Sequence, residues 1–207
     1  MELLEKIHIS EEDKKMLTEG EVVVIPATYD EFLNFLSETE YNKVEYINGN
    51  IVLMGVASFF HELIVGTLSR ILGNIYQDKP NFYVLGSSLG IVIPEQTNFH
   101  QADVTVVSGK PTFRDKAQTE LENPYIVIEV LSASTGRYDF TTKLHNYKKI
   151  PSVKQIILIN QYEALIYSYV RSDDGTVWLN VDYDKMEDAI VIDSYTVQMK
   201  EIYKNVF

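Results

Sequence analysis

Cysteine is absent from the 207-residue sequence. That excludes disulfides and thiolate metal sites, and it fits the expected cytoplasmic location without establishing it. Positive charge is scarce: 18 Lys and Arg stand against 30 Asp and Glu, a formal net charge of −12. Proteins that grip nucleic acid through its phosphates ordinarily carry a basic footprint, and a negative field slows the approach of DNA. Long apolar runs are also missing. No stretch of about 18 uninterrupted apolar residues occurs, so no membrane-spanning helix is expected. The opening, MELLEKIHISEEDKK, has acids scattered through it and does not read as a secretory signal. Gly49, Gly86 and Gly90 form no phosphate-cradling pattern, and no Gly-x-Ser-x-Gly elbow surrounds Ser132 or Ser134.

What is present is a globular balance, 45% hydrophobic and 23% charged, in a chain long enough for one domain with a sizeable core. No internal repeat or domain boundary interrupts residues 1–207. Residues 1–20 read as a mobile arm in which Ser10 caps a short helix. Thr28 and Glu31 form a capping box that opens a helix with Phe32, Leu33 and Leu36 on its buried stripe. Asn48-Gly49, between two apolar alternations over 44–53, predicts a hairpin. Ser58 caps a longer helix to about Tyr76, with Phe60, Ile64, Leu68, Ile71 and Ile75 at helical spacing. Residues 82–93 read as one strand ended by Pro94, and 101–108 as another. Residues 125–132 are apolar on both faces, as in a central strand. A helix over about 138–150, a buried strand over 153–161 and an antiparallel extension over 164–203 complete the chain. The core, about 58–161, is thus expected to hold a mixed sheet.

Two acids stand in apolar surroundings. Glu129 lies in the middle of Ile-Val-Ile-Glu-Val-Leu, and Asp103 opens Ala-Asp-Val-Thr-Val-Val. A buried carboxylate needs a cation, hydrogen bonds or a raised pKa. On neighbouring strands the two side chains would converge. A divalent cation satisfies both, because Mg²⁺ takes carboxylate oxygens, backbone carbonyls and water. Pairing with Lys or Arg satisfies them equally, and both readings stay open at this point. On the following helix Asp139, Lys143 and Tyr147 share one face at i, i+4 spacing. The Lys143 stem can run along the core stripe of Phe140, Leu144 and Tyr147 with its ammonium turned to the sheet, or it can face solvent beside Asp139. Arg137, Lys143, Lys148, Lys149 and Lys154 form a basic cluster that suits a solvated helix end or a phosphate contact. Glu45 reads as an ordinary surface acid of the hairpin. His100 and His145 show no partner in sequence. Ser132, Ser134 and Thr135 are read as capping the following helix or shaping its entry.

Taken together, Val44-Glu-Tyr-Ile-Asn-Gly-Asn-Ile-Val, His61 early on a helix, Asp103-Val-Thr-Val, Glu129-Val-Leu-Ser-Ala-Ser-Thr135 and Asp139 to Lys143-Leu-His-Asn-Tyr147 resemble the Uma-two family of restriction endonucleases, a branch of the PD-(D/E)XK nuclease superfamily. The resemblance covers about residues 28–203. It implies a restriction-endonuclease-like α/β fold: a mixed sheet flanked by helices, an N-terminal helix–hairpin and a C-terminal antiparallel extension. It implies that Asp103, Glu129 and the Val130 carbonyl ligate Mg²⁺ or Mn²⁺, with His61 as an accessory group. Superfamily members place a lysine two positions after the second acid. Leu131 stands there, so the catalytic role, orienting or deprotonating the attacking water and neutralising charge on the phosphate, passes to Lys143, whose charge rather than packing is expected to matter. Ala102 and Ala133 replace the family's usual prolines and bear on loop geometry. Two functions follow: a metal-dependent endonuclease acting on DNA in preference to RNA, and a non-catalytic binding or regulatory module on the same fold. No membrane partner is expected. The apolar strands near the C-terminus suggest a homodimer.

Overall fold

A computed structural model describes residues 7–41 and 43–207. The arm expected over 1–20 therefore falls partly, at 1–6, outside the described residues. Ser10 and Asp13 form a capping box that opens α1 (Glu11–Thr18), and Ile9 and Leu17 are buried. Strand β1 (Val22–Pro26) leads to α2 (Tyr29–Glu38), opened by the Thr28–Glu31 box. Phe32 anchors α2. Leu33 is exposed, and Phe35 and Leu36 flank the core in its place. Strands β2 (Val44–Ile47) and β3 (Asn50–Met54) form the hairpin. Asn48 and Gly49 have φ of 49° and 82°, the positive values that a type I′ turn demands of both central residues.

Ser58 caps α3 (Phe59–Tyr76), whose Ile64, Leu68, Ile71 and Leu72 are buried. Phe60, read as part of that stripe, stands in the first turn and is exposed beside Phe59. The run 82–93 is two strands rather than one. A turn at 86–89 sends β4 (Phe82–Leu85) and β5 (Gly90–Val92) into different sheets. Residues 101–108 are likewise shorter than expected: β6 (Phe99–His100) precedes a break, and β7 (Val104–Ser108) follows it. Then come β8 (Glu120–Leu121) and β9 (Ile126–Leu131). The helix read over 138–150 is α4 (Gly136–Tyr138), a π-helical stretch (Asp139–Lys143) and α5 (Leu144–Lys149). The chain closes with β10 (Gln155–Asn160), β11 (Ile166–Arg171), β12 (Trp178–Tyr183), β13 (Ala189–Ile192), β14 (Tyr195–Gln198) and α6 (Met199–Ile202).

The central sheet has the order β12-β11-β10-β9-β7-β4. Strands β9 and β10 are parallel, and the other pairs are antiparallel, so the sheet is mixed. Strand period fixes its two faces. Ile126, Ile128 and Val130 point to α3 and the β13–β14–α6 segment. Val127 and Leu131 point the other way, to Leu144, Tyr147, Ile150 and Val153. Glu129 lies between them in sequence and shares their face, opposite α5. A second sheet, β1-β3-β2-β6-β5-β8, carries the N-terminal hairpin, and its β2 and β6 bring further polar residues toward Glu129. The fold is the expected restriction-endonuclease-like α/β arrangement.

Where α1 ends, Gly20 and Gly55 approach so closely that a Cβ on Gly55 would sit 2.6 Å from the Gly20 backbone. Gly66 is an exposed residue inside α3 with open space around it. Gly55→Ala is expected to destabilise by about 1–3 kcal/mol through overpacking, whereas Gly66→Ala should stabilise by about 0.5–1 kcal/mol. Urea unfolding of the two variants checks this, and shifts of the same sign would contradict the backbone approach.

Candidate functional site

The antiparallel pairing of β7 and β9 sets Val104 opposite Ile128. One step further places Asp103 beside Glu129. The Glu129 side chain faces away from the body of α3, because its neighbours Ile128 and Val130 face toward it, while Asp103, in the bend just before β7, reaches the first turn of α3 at His61. One ammonium, that of Lys43 just before β2, reaches both. Its Nζ lies 2.6 Å from Asp103 Oδ1 and 4.0 Å from Glu129 Oε2. Asp103 Oδ2 accepts a 2.7 Å hydrogen bond from the Val130 backbone N–H and lies 3.2 Å from His61 Nε2. Burial alone would raise the Asp103 pKa, but Lys43 and His61 outweigh it and hold the carboxyl below its ordinary range. Asp103 is therefore a carboxylate at neutral pH.

Glu129 differs. Its Oε1 accepts the Tyr147 hydroxyl at 2.6 Å and lies 3.1 Å from Lys143 Nζ. Burial dominates and pushes its pKa up to about 7, against the pull of Lys143 and Lys43. The Lys143 side chain is only 1% exposed. Its ammonium is enclosed by Glu45 at 2.8 Å, Glu129 at 3.1 Å and Asp139 at 3.3 Å. The π-helical stretch runs from Asp139 to Lys143. Such wide turns commonly re-aim side chains at functional sites. Of the two orientations open in sequence, Lys143 thus takes the inward one. Its charge is not free to be removed without structural cost, since three carboxylates depend on it. Losing one partner of a buried ion pair costs about 3–5 kcal/mol, so Lys143→Ala is expected to lower stability as well as alter the site.

Three participants were not legible as such in sequence. Glu45, read as a surface acid, is fully buried. Besides Lys143 it accepts from the Gln101 backbone N–H at 3.0 Å and lies 3.1 Å from His100 Nδ1. His100 thereby has a partner, and its Nε2 lies 2.9 Å from Asn146 Nδ2. Lys43 carried no sequence signal beyond its place two residues before Glu45. His145 remains apart, in a shallow groove with Asn98 and Lys149. In the basic cluster, Lys148 lies over the rings of Tyr169 and Trp178.

A cavity of about 320 Å³ opens on this arrangement, lined by Lys43, His61, Asp103, Glu129, Val130 and Asp139 together with loop residues 132–135. Four carboxylates, of Glu45, Asp103, Glu129 and Asp139, face the two ammonium groups of Lys43 and Lys143. Burial raises the pKa of Glu129 and of Asp139, so an excess of negative charge develops only as these two acids ionise. Among the described residues no three His, Cys, Asp or Glu side chains have the spacing of a ready-made metal centre. The set is sparser, two acids beside the Val130 backbone. Mg²⁺ is commonly held by one or two carboxylates with water and substrate completing its shell. The hard oxygen donors, the excess charge and a cation already seated between Asp103 and Glu129 make the residues compatible with a divalent ion.

Burial raises the Glu45 pKa less than Lys143 and His100 lower it, and it falls from 4.5 to about 2. A folded-state pKa below the unfolded one contributes stability that is present above the unfolded value and lost as pH falls toward the folded one. Glu45→Gln should therefore flatten the loss of stability between about pH 4.5 and pH 2 relative to the wild-type chain. Denaturant titrations across that range measure it, and parallel curves for the two proteins would contradict the assignment.

The chain is similar to known proteins in sequence and in fold. The Synechocystis sp. (strain PCC 6803) protein sll1609 is 30% identical over 142 residues, 69% of this chain and 79% of its own length. A second protein of that organism, slr1290, is 32% identical over 162 residues, 76% of this chain and 82% of its own. A crystal structure described as "a putative nuclease belonging to DUF820", from Anabaena variabilis, superposes with a TM-score of 0.71 at 20% identity. That alignment spans 88% of this chain and all of the other, and at this identity it speaks for the fold. Residues 29–198, which contain Lys43, Glu45, Asp103, Glu129 and Lys143, match the Uma2 family, whose description is "Putative restriction endonuclease", and the chain belongs to that family.

Proposed function

We propose that the chain is a divalent-metal-dependent endonuclease that hydrolyses phosphodiester bonds of DNA. The observation that carries this reading is the convergence of Asp103 and Glu129 from adjacent strands on one cavity, with more buried carboxylate than two ammonium groups balance. Membership of the Uma2 family supports nucleic acid as the substrate class. In this reading Asp103, Glu129 and the Val130 carbonyl hold Mg²⁺ or Mn²⁺. When bound, the ion would make water a stronger nucleophile at neutral pH and stabilise charge building on the phosphoryl group. Water oxygen attacks phosphorus, the bond to the leaving sugar oxygen breaks, and no covalent link to the protein forms.

The chain's own residues prepare the acids. Val130 N–H and His61 orient Asp103, which is kept ionised. Tyr147 and Lys143 fix Oε1 of Glu129, leaving Oε2 on the Lys43 side. Lys143 is then a positioning residue, not the group that meets phosphate. A homodimer belongs to the same proposal: β12 is an edge strand with exposed Leu179 and Val181, the kind of edge that pairs with another chain.

Purified protein should cleave plasmid DNA when Mg²⁺ or Mn²⁺ is added and not in chelator. Asp103→Asn should reduce the rate about 100-fold or more, because several kcal/mol of charge stabilisation depend on the site and each 1.4 kcal/mol is tenfold. Tyr147→Phe should cost about 10- to 100-fold, as lost partners of metal ligands do. One observation favours the other reading, a binding or regulatory module: the net charge of −12 opposes the approach of DNA. Absence of metal-dependent cleavage of duplex DNA, single-stranded DNA and RNA would establish that alternative over the nuclease.

A further inference from the structure

Two lysines face the acids, and they differ in one respect that matters. Lys143 is sealed in, enclosed by three carboxylates and seated on the π-helical stretch. Lys43 is 22% exposed and lines the cavity. It is anchored by a single short contact, 2.6 Å to Asp103, with Glu129 at 4.0 Å. That is the position a divalent ion would take, since an ion shared by the two acids has to lie between the same oxygens. We propose that Lys43 is a tethered cation. It neutralises Asp103 and Glu129 in the metal-free protein and gives up that position to a divalent ion, swinging its ammonium into the cavity.

The proposal rests on the reading of the site as a metal centre, and the physical argument has three parts. First, the two cations exclude each other. Mg²⁺ binds carboxylate oxygens at about 2.0–2.1 Å, and an ammonium 2.6 Å from Asp103 Oδ1 occupies the same side of the same atom. Second, vacating the position without any cation would leave Asp103 and Glu129 side by side and buried, so Lys43 holds the site in shape until it is exchanged. Third, lysine suits exchange. Its ammonium is a compact charge on a flexible four-carbon stem, and it can move by rotamer changes alone while its backbone stays in place before β2. The displaced ammonium would then face the cavity where a phosphate would lie. Lys43, rather than Lys143, becomes the cation available to contact substrate.

The test uses the full-length protein with Mn²⁺ alone as the probe. Calorimetric titration should show Mn²⁺ binding Lys43→Gln at least about tenfold more tightly than wild type, the equivalent of about 1.4 kcal/mol, because a competitor has been removed. Lys43→Arg, which keeps a permanent positive charge, should not gain affinity. A second measurement needs no variant. Acylation of lysine amines in the wild-type protein, read by mass spectrometry, should increase at Lys43 when Mn²⁺ is added, while Lys143 stays unmodified in both states. Equal or weaker binding by folded Lys43→Gln, or unchanged or reduced labelling of Lys43 on adding Mn²⁺, overturns the proposal. If wild type binds Mn²⁺ and cleaves DNA with neither effect seen, the tethered-cation idea alone fails. If Mn²⁺ does not bind to wild type or to Lys43→Gln, the metal-centre reading falls as well.

Discussion

A carboxylate placed in the middle of a central strand must find positive charge, and much of this structure answers that requirement. Glu129 sits on β9 between Val127 and Leu131 on the same face, so the side that should be pure core carries an acid. In an environment without water an unpaired carboxylate costs several kcal/mol or takes up a proton. Tyr147 and Lys143 meet one of its oxygens and Lys43 approaches the other, yet its pKa remains near 7. The site is stabilised by its partners, and burial still outweighs them at Glu129.

The elements around β9 can be understood as suppliers of these partners. Strand β7 sets Asp103 alongside through antiparallel register, and the first turn of α3 brings His61 to it. The π-helical stretch carries Lys143 and Asp139 into the interior, and α5 adds Tyr147 and Asn146. The second sheet contributes Glu45 from β2 and His100 from β6, with Lys43 at the start of the hairpin. Its own core, built on Phe32, Tyr46 and Phe99, packs against the other face of that hairpin. Apolar packing and the polar site are thus coupled: the clusters that stabilise the sheets also fix where the charges stand.

Much of this was legible in the chain because local chemistry and final structure agree. Ser10, Thr28 and Ser58 cap helices where their side chains say they should, and Asn48-Gly49 turns the hairpin. Glu129 declared itself by its apolar neighbours, and the i, i+4 spacing put Asp139, Lys143 and Tyr147 on one face without saying whether Lys143 turned inward or to solvent. Lys43 and Glu45 did not stand out, because an alternating hairpin looks alike whether its polar face meets water or the rest of the protein. Glu45 meets Lys143 from the π-helical stretch, His100 from β6 and the Gln101 backbone, all distant in sequence, and is buried there. The split of residues 82–93 was hidden for a related reason. Apolar residues on both sides of Gly86-Ser-Ser-Leu-Gly90 satisfy one strand pattern, and the two halves serve different sheets.

The central claim is that the place between Asp103 and Glu129 receives a divalent cation. Crystals soaked in Mn²⁺ test it directly through anomalous scattering. The account predicts one strong peak within about 2–2.5 Å of oxygens from both carboxylates, with the Lys43 ammonium moved away from Asp103. Density that keeps Lys43 against Asp103, with no anomalous peak between the two acids, would contradict it.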